Sequence, residues 1–194
     1  MIEWSGSVLD LGGSRKSGYH ELFLGKPEFT VVNIDEHYGY DLKFDVEKDF
    51  PLEDASYDHV LCLNLLEHVY GYAHVLRESY RVMRPGGTFV SVTPFSIPLH
   101  ACPHDFFRYT DSALRRMLKD AGFTVESVQP MGCGACACMY QYGSWMLPSP
   151  LRRMAMHIAV GLDNLLSRLS GRYRTLSRNY VLGYLAIARK PVAS

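Results

Sequence analysis

No stretch of this chain approaches the roughly 20 consecutive apolar residues that a membrane-spanning helix needs, so no span is expected. The opening Met-Ile-Glu-Trp lacks the basic start and apolar core of a secretion signal. Cysteine is sparse and odd in number, five in 194 residues. With no signal, a disulfide framework is not expected, and the thiols read as reduced in a cytoplasmic protein. An excess of one charge is missing too, because 20 Lys and Arg balance 20 Asp and Glu. That balance argues against a dedicated nucleic-acid binder, so no nucleic-acid partner is expected. Internal repeats and low-complexity tracts are also absent.

The balanced charge is unevenly spread. Residues 1–100 hold 8 basic and 15 acidic side chains, and residues 101–194 hold 12 and 5. The basic second half can meet a phosphate or an anionic membrane surface. The length suits a single domain with a full core, taken as residues 1–194.

Apolar runs are present at about 7–11, 30–35, 41–45, 57–63, 87–93, 123–128 and 179–189. Helical patterns lie between them at about 18–25, 70–83 and 111–121. The last of these helices has clear ends, with Thr110 as a cap, Asp111 in its first turn and Gly122 just past its end. Such alternation predicts an α/β fold with a doubly wound, Rossmann-like parallel sheet.

Two strand ends carry the chemistry. Val8-Leu9-Asp10-Leu11 stops at Gly12-Gly13, where the backbone can approach a ligand closely. The run Thr30–Ile34 ends at Asp35, whose carboxylate can accept hydrogen bonds from both hydroxyls of a ribose. Side by side they make a nucleoside site. A dinucleotide fingerprint fails, because Gly-x-Gly-x-x-Gly counted from Gly12 meets Ser14 and Ser17, and counted from Gly13 it meets Arg15.

Further blocks follow in order: Phe44-Asp45-Val46-Glu47 with Phe50-Pro51-Leu52, then Ser56 to Asn64, then Leu65-Leu66-Glu67-His68-Val69, then Arg81 to Val90 with its Pro85-Gly86-Gly87 turn. Together with the glycine turn they resemble the class I S-adenosylmethionine-dependent methyltransferases, of the type 11-like kind, over roughly residues 7–130 and a last strand near 181–188. The resemblance implies a seven-stranded sheet, mostly parallel with an antiparallel last strand. It implies S-adenosyl-L-methionine as cofactor. Gly12 and Gly13 would pass the methionine part, Asp10 would orient the turn and the ammonium end, and Asp35 would hold the ribose. Asp45 and Val46 would meet the adenine, and Asn64 would face the sulfonium region. Where the family usually has Gly-x-Gly, this chain has Ser14 followed by Arg15-Lys16.

The loop Pro94–Thr110 leaves a strand at the carboxyl edge and resembles a Pro-x-Asp-aromatic-aromatic-Arg-aromatic-Thr loop of some relatives. In it His104 is the candidate base, with Asp105 orienting it. The alternative is that His104, Asp105 and Arg108 brace the loop. His68 reads as a packing residue at a helix start. Cys133, Cys136 and Cys138 lack a fourth ligand for zinc, so no metal is expected.

Residues 145–178 form a helical insertion before the last strand. It has an apolar stripe at Leu151, Met154, Ala155, Ile158, Leu162, Leu165, Leu166 and Leu169, and a basic flank. It reads as a lid, a homodimer contact, a peripheral membrane contact, or a helix packed on the sheet. The expected activity is methyl transfer to a small-molecule, sugar or lipid-linked acceptor. The alternative is an inactive methyltransferase-fold binding or scaffold protein.

Overall fold

The computed structural model describes residues 3–192, without the side chain of Cys133. The part of the cysteine cluster that rests on that side chain therefore lies outside the described residues. Six strands form one sheet: β1 (Ser7–Leu11), β2 (Glu28–Val32), β3 (Tyr57–Leu63), β4 (Met83–Pro94), β5 (Thr124–Cys133) and β6 (Val181–Arg189). Their order is β2-β1-β3-β4-β6-β5. The first four are parallel to one another, and β6 is antiparallel to both β4 and β5.

The seventh strand expected at 41–45 is reduced to a single bridge, Val32 to Leu42. The donor that would carry the ladder on toward 43–45 is the Asp35 N–H, and it goes to Asn33 Oδ1 at 3.0 Å instead.

Alternate residues of the central strands are buried on opposite faces, which is why these runs read as continuously apolar. Leu9, Leu11, Val60, Cys62 and Phe89 pack with Val75, Leu76 and Val82 of α1 (Tyr72–Val82) and with Leu114 and Leu118 of α2 (Asp111–Asp120). Thr110 caps α2 as expected, its Oγ1 accepting from Ala113 N at 3.3 Å. On the other face Val8, Leu61 and Val90 pack with Trp4, Tyr19, Phe23 and Phe29.

That second face was expected to carry a helix at 18–25, but only a 3-10 turn forms, Tyr19–Leu22. Gly18 and Gly25 take positive φ and bound it closely on both sides. Aromatic packing replaces the helix. The Trp4 ring lies 4.6 Å from the His59 ring in a parallel stack and 5.0 Å from Phe23.

Between β5 and β6 the chain forms α3 (Ala135–Gly143), α4 (Ser149–Leu169) and α5 (Gly171–Ser177). The first of these carries Cys136 and Cys138. Helix α4 packs on α3 and α5. It buries Ala159 and Asp163 and leaves Leu151, Met154, Ile158, Leu162, Leu165 and Leu169 exposed. The stripe inferred from the sequence therefore exists, but most of it faces outward. Among the described residues no helix is long and apolar enough to cross a membrane.

Candidate active site

The chain steps from β1 outward to β2 and then returns to place β3 on the other side of β1. Such a switch point opens a crevice at the carboxyl ends of the strands. The register lines those ends up, Leu11 with Val32 and Cys62, and Leu63 with Val92. The residues just beyond them, Gly12, Asn33 to Asp35, Asn64, Thr93 and Pro94, line a cleft of about 900 Å³. Ile34, Leu63, Leu65, Val92, Ile97, Met131 and Leu182 make its walls largely apolar, and Tyr38, His68, His100 and Cys102 add polar groups.

Gly12 has φ +72°, and a Cβ there would stand 2.9 Å from Leu65 Cδ1. A Cβ at Gly13 would stand 2.2 Å from Asp10 Oδ2. The turn therefore needs both glycines, one for its backbone conformation and one for the space beside Asp10. Ser14, Arg15 and Lys16, which depart from the family pattern, tie this turn to the loop after β2. Ser14 Oγ donates to Tyr38 O at 2.7 Å, Arg15 pairs with Asp41, and Lys16 Nζ donates to His37 O.

Asp10 is fully buried beneath the turn and does not line the cleft. The Tyr19 hydroxyl donates to its Oδ2, and His20 Nε2 lies 2.7 Å from the same atom. Burial and the Asp10 charge push the Tyr19 phenol far above its ordinary range, so it stays a donor. Asp10 is thus held by Tyr19 and His20 and stands behind the glycine turn rather than on the cleft wall.

Asp35 is on the wall. Its Oδ1 accepts the His37 N–H at 2.8 Å, and its own N–H donates to Asn33 Oδ1 at 3.0 Å. Asn33, which the sequence reading passed over, also donates from Nδ2 to Gly13 O at 2.8 Å. It is the strut between the glycine turn and Asp35. Asn64 lines the cleft at the end of β3 in a left-handed conformation, φ +49°.

Asp45 and Val46 stand outside this cleft. Asp45 Oδ1 accepts from Glu47 N at 3.0 Å, and Val46 packs against the core. Their loop is fastened to α1. Glu47 accepts from Gly71 N at 2.7 Å, Glu78 from Phe50 N at 2.8 Å, and Arg81 donates to Leu52 O at 2.8 Å.

The candidate base also stands away from the cleft. His104 is exposed, its ring lies against Phe106, and it is not on the cleft wall. Asp105 does not orient it. Its carboxylate accepts from Arg108 and, at 3.0 Å, from His100 N. The Arg108 hydrogen bonds outweigh burial and hold the Asp105 carboxyl well below the usual carboxylate range. The loop-bracing reading is what these contacts support. The histidines that do line the cleft are His68 and His100. The carbonyl of His104 lies 2.5 Å from His68 Nδ1, so His104 meets a cleft residue through its backbone. Adjacency to Asn64 in sequence was the available signal for His68. His100 gave none, since its direction depends on how the loop folds.

The family model described as a methyltransferase domain matches residues 28–91, which run from β2 into β4. A probable S-adenosylmethionine-dependent methyltransferase of Mycolicibacterium smegmatis is 30% identical over 135 residues, 65% of this chain and 52% of that protein. Over these stretches the chain is similar to class I S-adenosylmethionine-dependent methyltransferases. The 27-O-demethylrifamycin SV methyltransferase of Amycolatopsis mediterranei is 29% identical over 161 residues, 74% of this chain and 56% of that protein. The chain spans about half the length of these curated relatives. A SAM-dependent methyltransferase from Archaeoglobus fulgidus shares the fold, with a TM-score of 0.66 at 18% identity, over 96% of this chain and 86% of that one. The cofactor of this methyltransferase family is S-adenosylmethionine. The close backbone at Gly12 and the carboxylate of Asp35 on one cleft fit its amino-acid and ribose parts.

Proposed function

We propose that this methyltransferase moves the methyl group of S-adenosylmethionine to an oxygen of a small, largely apolar acceptor. The carrying observation is the cleft itself. Its about 900 Å³ exceeds the need of a nucleoside cofactor alone, and its far wall is apolar with two histidines. The Amycolatopsis relative is named for a methyl transfer at an oxygen, which supports an oxygen nucleophile here. A sugar or lipid-linked acceptor carrying an apolar part would fit the same wall.

In this reading Gly12 and Asn33 flank the methionine part, Asp35 accepts from the ribose hydroxyls, and Asn64 faces the sulfonium. The acceptor oxygen lies toward His68 and His100. Its lone pair forms the new bond to the methyl carbon while the carbon–sulfur bond breaks, its electrons returning to sulfur. The acceptor proton passes to a histidine nitrogen or to water. The sulfonium is already a good leaving group, so the protein's main task is alignment.

Calorimetry with S-adenosylmethionine tests the cofactor half of the proposal. Wild type is expected to bind in the micromolar range, and Asp35→Ala to bind about tenfold or more weakly, roughly 1.4 kcal/mol. Absence of binding by folded wild-type protein would favour the scaffold alternative.

A further inference from the structure

Glu67 is in an unusual position for a carboxylate. It sits in the 3-10 turn Leu66–His68 after β3 and is fully buried. Among the described residues neither of its oxygens has a hydrogen-bond partner. The turn cannot easily swing it outward. Phe106 N donates to Glu67 O at 2.7 Å, and the Tyr109 hydroxyl donates to Leu66 O at 3.1 Å. Arg108 is the nearby cation, but its guanidinium donates to Asp105, Phe107 O and Pro98 O instead. A buried carboxylate without donors or a counter-charge costs several kcal/mol, a cost relieved either by a proton on the carboxyl or by a cation beside it.

The two cleft histidines face it. His68 Nε2 lies 3.7 Å from Glu67 Oε1, and His100 Nε2 lies 3.9 Å from the same atom. Each ring's other nitrogen meets oxygen acceptors. His68 Nδ1 is 2.5 Å from His104 O, and His100 Nδ1 is 3.3 Å from Pro98 O and 3.4 Å from Asp105 Oδ2. Acceptors at Nδ1 favour the proton there and leave the Nε2 lone pair free, the arrangement usual for metal-ligating histidines. Two nitrogen lone pairs and a donorless carboxylate therefore converge, with all ligand atoms within 4.8 Å of one another.

We propose that Glu67, His68 and His100 bind a divalent transition-metal ion of the zinc, cobalt or manganese type at the acceptor end of the cleft. Two imidazoles and one carboxylate are a ligand set such ions accept, and three protein ligands leave positions open. Ligation at about 2.0–2.2 Å requires the ligand atoms, now within 4.8 Å of one another, to draw together by up to about 1.5 Å. His100 can supply that movement, since its side chain is 40% exposed and sits on a loop. The open positions face the cleft that both histidines line. The role of the ion rests on the methyl-transfer reading. It would hold the acceptor oxygen and lower its pKa, so that the proton leaves to solvent water before the oxygen takes the methyl carbon. The metal-binding step involves no oxidation or reduction.

The test uses the full chain, stripped with a chelator and titrated with cobalt(II) chloride while its visible absorption is followed. A parallel calorimetric titration uses S-adenosylhomocysteine. The expected result is one saturable cobalt site per chain, weakened at least tenfold by Glu67→Gln and by His100→Ala, with S-adenosylhomocysteine binding unchanged within about twofold. His100→Ala alters an exposed loop residue and decides the matter if Glu67→Gln fails to fold. No saturable cobalt site in protein that binds S-adenosylhomocysteine would overturn the metal site alone. A cobalt site indifferent to both variants would overturn it too. Cobalt binding without nucleoside binding would leave the metal site standing and remove the methyl-transfer reading.

Discussion

Gly13 and Asp10 share a space that admits no further atom. A Cβ at position 13 would overlap both carboxylate oxygens of Asp10, at 2.2 and 2.8 Å. Gly13→Ala must push that carboxylate away from Tyr19 and His20 and strand it in the interior. The expected loss is on the order of 2–4 kcal/mol, read as a lower urea midpoint, and cofactor affinity should fall with it. A wild-type midpoint would mean that the turn is looser than drawn. The sequence showed that this pair of positions mattered, but not which way Asp10 points. Its partners come from the turn at 19–22, whose 3-10 geometry is set by the flanking glycines. The loop at 94–110 teaches a similar lesson. Chain neighbours His104 and Asp105 looked like a base and its orienter, yet loop geometry gives Asp105 to Arg108 and to the backbone of His100. His104→Ala is therefore expected to shift stability by no more than about 0.5 kcal/mol, as ordinary surface changes do. It should leave S-adenosylhomocysteine affinity unchanged. A variant that kept its fold and affinity but lost transfer would restore His104 as the base.

Helix α3 receives its N-terminal cap from another helix. Asp163 of α4 accepts from Cys136 N at 3.0 Å and Ala137 N at 2.8 Å, and the Tyr173 hydroxyl of α5 donates to it as well. One carboxylate thus fastens three helices. Burial pushes its pKa up, and these hydrogen bonds more than reverse the push, so the carboxyl titrates below its ordinary value of 3.8. A carboxylate depressed in the folded state adds stability that is complete above the unfolded pKa. That stability is lost as pH falls through the folded value. Acid is therefore expected to loosen α3–α5 as pH drops below about 4, seen as faster amide exchange there. Asp163→Asn should cost on the order of 2 kcal/mol at neutral pH and flatten that acid limb. An unchanged acid limb in the variant would exclude Asp163 as the fastener. This arrangement was hidden in the sequence. Periodicity marked the leucines of α4 as an apolar stripe without saying what covers it, whereas its buried positions are Ala159 and Asp163. An isolated acid in a basic helix carried no sign that it would cap a segment 26 residues earlier.

The sheet as a whole was the most legible part. Strands buried on both faces read as short apolar runs, and their alternation with helices predicted a parallel order, while the antiparallel last strand was implied by the family resemblance. The switch point beside β1 then places the cleft. What periodicity missed were segments held by side chains rather than by ladders. The strand at 41–45 stops at one bridge where the Asn33 side chain takes the Asp35 N–H, and the loop at 45–54 is drawn to α1 by Glu47, Glu78 and Arg81. The cleft walls could be named strand end by strand end, since Gly12, Asp35 and Asn64 all reach it. Its histidine end could not, because His68 and His100 meet only after a loop folds back over β3. A crystal structure with S-adenosylhomocysteine bound tests this account most directly. The account predicts the ribose hydroxyls on the Asp35 carboxylate, the amino-acid part along Gly12, and the sulfur turned toward His68 and His100. A nucleoside seated elsewhere, or a cleft with no nucleoside at saturating concentration, would contradict it.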